Sequence, residues 1–213
     1  MRQRDLETRE RVLKAAAQLF ADRGFKKVTV RDICRAARAN VAAVNYHFGD
    51  KGGLYREVLQ LAIDTMRSTT DAARAAGQGL PVEERLREYI RVSLCRATSA
   101  ASAPWISRLI HREMNDPTPA FDTVVDQGIR PRIDDLSAIV AEMLGCAPDH
   151  PRVLQCVTSI HAQWMLFMPN PVAARLRPKY HARQDDAVQM AAHIAEFSVA
   201  GIRAVAGAAN SRG

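Results

Sequence analysis

Residues 20–51 read F-A-D-R-G-F-K-K-V-T-V-R-D-I-C-R-A-A-R-A-N-V-A-A-V-N-Y-H-F-G-D-K, and the punctuation of this stretch decides the fold. Ahead of Gly24 lie Leu13, Ala16, Ala17 and Phe20, spaced by three and four residues as one buried helix face requires. They place a helix over about Asp5–Arg23, and a glycine just past that point is a common helix end. Thr29 opens the next element with Asp32 three residues on. This is the pattern of a reciprocal cap, with Asp in place of the usual Glu, in front of a short helix through about Ala36. Asn40 is a second N-cap, for a helix that closes near His47 or Phe48. Gly49-Asp50 marks a third boundary, from which a long helix runs to about Ala76 before G-Q-G-L-P at 77–81 breaks it.

Two short helices across a tight turn, behind a longer scaffold helix, form a helix-turn-helix arrangement. A helix that enters the DNA major groove must be short, must present small or hydrogen-bonding side chains, and must be apolar behind. Residues 40–48 meet all three conditions. Val44 and Phe48, four apart, turn inward with Ile33 and Phe20, leaving Val41, Ala42, Ala43 and Asn45 to face outward. Tyr46, His47 and Lys51 supply donors around the helix end, suited to phosphate oxygens. Charge follows the same division: residues 1–57 hold 13 basic and 7 acidic residues, whereas the remainder holds 17 and 16. Almost all of the net charge of +7 therefore sits at one end, as expected of a chain whose head meets a polyanion. Charge alone would equally describe a solvated face, and the order of residues decides between the two.

The rest of the chain extends the helical reading. Its 213 residues, 47% apolar and 25% charged, have a globular composition suited to one or two compact units. No apolar run approaches the ~20 residues of a membrane span, and the opening M-R-Q-R-D-L-E-T-R-E has no apolar signal core. Cysteines 34, 95, 146 and 156 make no C-x-x-C pair, so reduced thiols in a cytoplasm are expected. Prolines and glycines delimit helices near 82–101, 105–114, 120–144, 152–168 and 183–206, with Pro131 kinking the third of these. The expected fold is all-α: a three-helix helix-turn-helix domain at 5–60 and a helical bundle at 61–207. Histidines and cysteines fall at no metal-ligand spacing, no G-x-S-x-G elbow is present, and no glycine-rich loop could cradle a phosphate. No catalytic residue, metal or cofactor is expected.

Two apolar stripes mark the second half. Trp105, Ile106, Leu109, Ile110 and Met114 form one, and Val153, Val157, Ile160, Trp164 and Met168 form another, with His161 and Gln163 beside it. Such stripes are ordinary core, or else the wall of an apolar ligand pocket; the residues leave both open, the pocket reading centring on Trp105, Met114, His161 and Trp164. Helices 152–168 and 183–206 are also too apolar around their circumference for a single buried face. Small residues such as Ala191, Ala195, Ser198, Gly201 and Ala204 permit close approach, so the two helices would pair with their twins in a two-fold four-helix bundle. Val157, Ile194, Phe197 and Gly201 are the expected contacts, and a two-fold dimer reads a palindromic operator.

The order F…G-F…T-x-R-x-I…Y-H-F…K, carried by residues 20–33 and 45–51, resembles the TetR/AcrR DNA-binding domain over about residues 9–60. N-V-A-A-V-N-Y-H-F-G-D-K-G-G-L-Y-R-E-V (40–58) is similar to its CecR branch. So are I-S-R-L-I-H-R-E-M-N-D-P-T-P-A (106–120), I-R-P (129–131) and A-E-F-S-V-A-G-I-R-A (195–204). The resemblance implies that Arg31, Val41, Ala42, Ala43 and Asn45 read bases, while Thr29, Asn40, Tyr46, His47 and Lys51 hold phosphates. It further implies a homodimer whose C-terminal bundle binds a small lipophilic effector. Such a protein would repress a transport, efflux or stress-response gene and leave its operator when the effector binds. The rival is an α-helical carrier or enzyme with a vestigial basic head. Two residues depart from the pattern. Arg38 stands where the turn usually has glycine, at a penalty of about 1–2 kcal/mol if its backbone is left-handed. Gly52 replaces the Glu usual in the branch, losing an acid at a helix N-terminus worth about 0.3–1 kcal/mol.

Overall fold

In the computed structural model, which describes residues 2–98, 105–167, 175 and 184–210, all regular structure is helical. The elements are α1 (Arg2–Arg23), α2 (Val30–Ala37), α3 (Val41–Phe48), α4 (Lys51–Ala76), α5 (Val82–Thr98) and α6 (Trp105–Asn115). Then follow α7 (Phe121–Val124), a π-helical turn (Val125–Ile129), α8 (Arg130–Leu144), α9 (Pro151–Phe167) and α10 (Gln184–Asn210). Residues 99–101, expected to finish the fifth helix, and Met168, expected to end an apolar stripe, lie outside the described residues. The chain packs as two units, Met1–Met66 with Ala103–Gly128 and Arg67–Ser102 with Ile129–Gly213. This differs from a division at residue 60, because α6 and α7, late in sequence, belong with the head.

In the first unit the caps expected from sequence are present. The Thr29 hydroxyl accepts from the Asp32 N–H at 3.2 Å, and an Asp32 carboxylate oxygen accepts from the Thr29 N–H at 3.0 Å. Hydrogen bonds from the Thr29 hydroxyl and then its backbone N–H hold the Asp32 carboxyl below its ordinary value. The Asn40 side chain accepts from the Ala43 N–H at 2.8 Å, and Asp50 accepts from the Gly53 N–H at 2.6 Å at the start of α4. Caps alone do not sustain helices of eight residues such as α2 and α3. Their apolar faces are buried instead: Ile33, Cys34 and Ala37 of α2, and Val44 and Phe48 of α3, with Val12, Ala16, Ala17 and Phe20 of α1. The stripe on α1 is turned slightly from the expected one, Val12 being fully buried and Leu13 only partly.

In the second unit α5 and α10 run together over a core of Leu86, Ile90 and Leu94, with Leu136 and Val140 from α8, Val153, Val157 and Ile160 from α9, and Ala191 and Ile194 from α10. Two guanidinium–carboxylate pairs cross from α5 to α10 along the rim. Arg203 meets both oxygens of Glu83 at 2.6 Å, and Arg87 meets Glu196 at 2.8 and 3.3 Å. Exposed pairs of this kind add little individually, and the apolar faces do most of the holding. Pro131, expected to kink its helix, lies in the first turn of α8. Lacking an N–H, it cannot close an α-helical hydrogen bond to the preceding turn, and the chain there widens into the π-turn Val125–Ile129.

Gly53 is indispensable for a reason of space: a Cβ at this position would lie 2.0 Å from the Phe48 carbonyl oxygen. Gly53→Ala is expected to force the α3–α4 corner apart and lower stability by about 1–3 kcal/mol. Gly52→Ala would meet only side-chain atoms of Asp50 and Arg56, at 3.1 and 3.5 Å, and should cost less. Thermal melting of the two variants beside the wild type checks the ranking.

Candidate nucleic-acid interface

The inward pair on α3 leaves an outward face. Val41 (44% exposed) and Tyr46 (77%) stand out most among its apolar side chains, with Ala42 and Asn45 also exposed, Ala43 half-buried, and Arg31 exposed near the start of α2. Small side chains at the head of α3 let its backbone approach a groove closely, while Asn45 and Arg31 bring the donor and acceptor groups that base edges require. Thr29 and Asn40 are exposed too, although each uses a side-chain oxygen in its cap.

Two of the expected phosphate residues are placed differently. Lys51 directs its ammonium to the carbonyls of Phe25 and Val28, both at 3.1 Å, and lies 4.3 Å over the Phe25 ring. The loop after α1 leaves those carbonyls without helical donors, and Lys51 satisfies them, so it ties the loop to α4 rather than facing outward. His47 is nearly buried and sets Nε2 3.2 Å from the Asp5 carboxylate, fastening α3 to the start of α1. Both corrections have one cause: a donor near a helix end was claimed by an acceptor more than twenty residues away.

The structure adds a feature that sequence reading missed. α6 lies along α1, and its polar side chains grip the head. Arg112 donates to the Ala21 carbonyl at 2.7 Å and to that of Asp22, closing the last turn of α1. Arg108 reaches Asp22 at 3.1 Å and Gln18 at 3.2 Å. Glu113 is 1% exposed and lies on the same face as buried Trp105 and Leu109. It accepts from the Tyr55 hydroxyl at 2.6 Å and from the Thr118 N–H at 3.0 Å, with the Thr118 hydroxyl as a third donor. Burial, and then the Glu113 carboxylate, push the Tyr55 phenol far above its ordinary value, so it remains a donor. The signal available in sequence was a carboxylate four residues after Leu109 on the face begun by Trp105.

The expected effector residues do not share one unit. Trp105 is buried in the first and Met114, in the same unit, is 54% exposed, while His161 and Trp164 belong to the second. There the Trp164 ring has Tyr89 at 6.5 Å, His161 at 4.8 Å and the Arg132 guanidinium at 6.0 Å. Burial pushes the His161 imidazole below its ordinary value, favouring the neutral form. A concavity of about 810 Å³ in the same unit is lined by Arg74, Arg85, Tyr89, Asp135 and Ile139 among others, and by none of the four expected residues. Of the expected dimer contacts, Val157 and Ile194 are buried within the chain's own core and cannot face a partner, whereas Phe197 is 64% exposed and Gly201 is exposed. The inward and outward faces of these two helices were not separable from composition. Among the described residues no helix is long and apolar enough to cross a membrane, and no cluster of His, Cys, Asp or Glu could hold a metal ion.

A short helix with a small-residue outward face, on the basic end of the chain, is what a DNA-reading helix-turn-helix protein presents. Comparison with known proteins agrees. Residues 12–58 match the family described as bacterial regulatory proteins of the tetR family, and residues 82–202 match the C-terminal domain of the HTH-type transcriptional dual regulator CecR. The chain belongs to the TetR family of transcription regulators, in its CecR branch, and is not an enzyme. It is 25% identical over 193 residues to the HTH-type transcriptional dual regulator CecR of Shigella flexneri, covering 86% of each chain. It is 32% identical over 89 residues to the probable acrEF/envCD operon repressor of Escherichia coli K12, covering 42% of this chain and 40% of that one. A TetR-like regulator from Rhodococcus sp. RHA1 shares the fold with a TM-score of 0.62 at 19% identity, over 91% of this chain and 96% of that one.

Glu113→Ala should strand the buried Tyr55 hydroxyl and Thr118 N–H and destabilise the first unit by about 1–3 kcal/mol for each orphaned donor. Lys51→Ala, freeing two carbonyls, should lower the melting temperature as well. Calorimetry on both variants decides; a Lys51→Ala protein as stable as wild type would show that this tie adds nothing to the fold.

Proposed function

We propose that this chain is a ligand-responsive repressor that binds a palindromic operator as a homodimer and leaves it when the second unit takes up a small lipophilic molecule. The observation that carries this reading is the outward face of α3, with Arg31 beside it, on the basic end of the chain. In it, Arg31, Val41, Ala42, Ala43 and Asn45 meet base edges, while Thr29, Asn40 and Tyr46 meet phosphates. The E. coli relative is named an operon repressor, which favours repression; the regulated gene in this reading is one of transport, efflux or stress response, and the protein acts in the cytoplasm where the operator lies.

Dimerisation is assigned to the outward faces of α9 and α10. Leu154, Val188 and Phe197 are each at least half exposed there, and Gly201 with its small neighbours would let a twin helix approach. Effector uptake is assigned to the second unit around Tyr89, His161 and Trp164. Ser93, one turn beyond Tyr89 on α5, supports this with a buried hydroxyl that has no hydrogen-bond partner among the described residues. An apolar molecule with one polar group would satisfy it.

Three measurements test the parts separately. Arg31→Ala and Asn45→Ala should each lose about 1–3 kcal/mol on the DNA upstream of the chain's own gene and little on random duplex; equal losses on both would remove the base-reading role. Phe197→Glu should shift the protein from dimer to monomer in sedimentation, and an unchanged dimer would place the interface elsewhere. With Trp105→Phe, Trp164 becomes the sole tryptophan. Its fluorescence, read with a panel of lipophilic compounds, should report binding that weakens operator affinity, and DNA should weaken binding of the compound by the same factor. A compound that saturates the Trp164 signal and leaves operator affinity unchanged would defeat effector release.

A further inference from the structure

The turn between α2 and α3 holds a strain that nothing within the first unit offsets. Arg38 has φ 51 and ψ 48, the left-handed conformation, and is the one non-glycine residue with positive φ among those described. Glycine adopts this conformation freely, and a Cβ resists it. Its backbone N–H bonds the Arg35 and Cys34 carbonyls, a helix ending that a glycine or asparagine would make equally well. The side chain offers no internal reason for the residue either. It is exposed, and its guanidinium makes no hydrogen bond or ion pair with any described residue. Several cations of the head do have such partners, Arg9 with Glu57, Arg11 on the Ala37 carbonyl, Lys26 with Asp116 and Arg35 3.8 Å from Asp32, whereas Arg31, assigned to the base edges, is like Arg38 in having none.

Position supplies the missing reason. Arg38 is two residues ahead of Asn40, the N-cap of α3, and so its Cα lies within about 7 Å of that cap. A recognition helix presents its N-terminal residues to the base edges, so the chain just ahead of it passes over the sugar–phosphate strand that borders the groove. A planar, permanently charged guanidinium on a long stem is well suited to a phosphate there. We propose that Arg38 is a DNA-backbone contact, its guanidinium binding a phosphate at the edge of the groove that α3 enters. The left-handed turn is then retained for binding at the expense of folding, as strained residues at functional sites are. This rests on the reading of α3 as the recognition helix, and it adds a sequence-independent contact at the position where the family's pattern has glycine.

The test is fluorescence anisotropy of the full-length protein on a random-sequence 30-base-pair duplex, titrated across KCl concentrations, together with thermal melting. Arg38→Gly should melt above the wild type, bind the duplex more weakly, and show a log–log salt slope smaller by about one, the value for one lost phosphate contact. Arg38→Lys should keep the slope. Wild-type slope and affinity in Arg38→Gly, or tighter binding, would overturn the proposal and leave Arg38 as strain alone. A melting temperature no higher than wild type would overturn the strain argument. Should the wild type itself bind without salt dependence, the recognition-helix reading fails and this contact with it; ordinary wild-type binding with an unchanged Arg38→Gly slope defeats only the contact.

Discussion

α2 and α3 have eight residues each, and helices of that length are held by what they bury rather than by their own hydrogen bonds. What they bury is a small apolar hub around Phe20, fully enclosed with Ile33 and Val44 and meeting the Tyr55 ring edge-on at 4.9 Å. Every outward property of the head follows from this inward constraint. Because Val44 and Phe48 must face inward with Phe20, Val41, Ala42 and Asn45 must face away, and the same rotation that closes the core exposes that outer face. Truncating Phe20 would therefore disturb the position of α3 as well as the stability of the unit.

The hub is completed from an unexpected part of the chain. Tyr55 contributes its ring to Phe20 and its hydroxyl to Glu113, so one side chain joins the aromatic cluster to α6. A carboxylate buried to 1% persists only because three donors surround it, Tyr55 and two groups of Thr118. Arg112 adds a second tie by closing the carbonyls at the end of α1. The unit that presents α3 is thus built from residues separated by as many as 91 positions in sequence, and α6 is structurally part of the head. A change in the α6 segment would be felt at Tyr55, and through it at the packing that orients α3.

Much of this was legible in the sequence because the determinants are local. The Thr29–Asp32 pair, Asn40 and Asp50 mark boundaries through hydrogen bonds that span three residues, and Gly24 through its positive φ; each is where its spacing indicated. The outward face of α3 was legible for the same reason, since a four-residue spacing of Val44 and Phe48 fixes both sides of one turn. Lys51 and His47 were not, because their partners, the Phe25 and Val28 carbonyls and Asp5, are brought to them only by the tertiary fold. On α6, α9 and α10, apolar residues encircle too much of the helix for composition to say which side is buried. Met114 and Val157 were misassigned there in opposite directions.

The central claim is that α3 reads DNA from a two-fold dimer, and selection of bound duplexes from a random-sequence pool tests it most directly. The account expects enrichment of an inverted repeat whose half-sites are centred about one helical turn, or a multiple of it, apart. Enrichment of a single asymmetric site, or of no motif while the protein remains folded and dimeric, would contradict it.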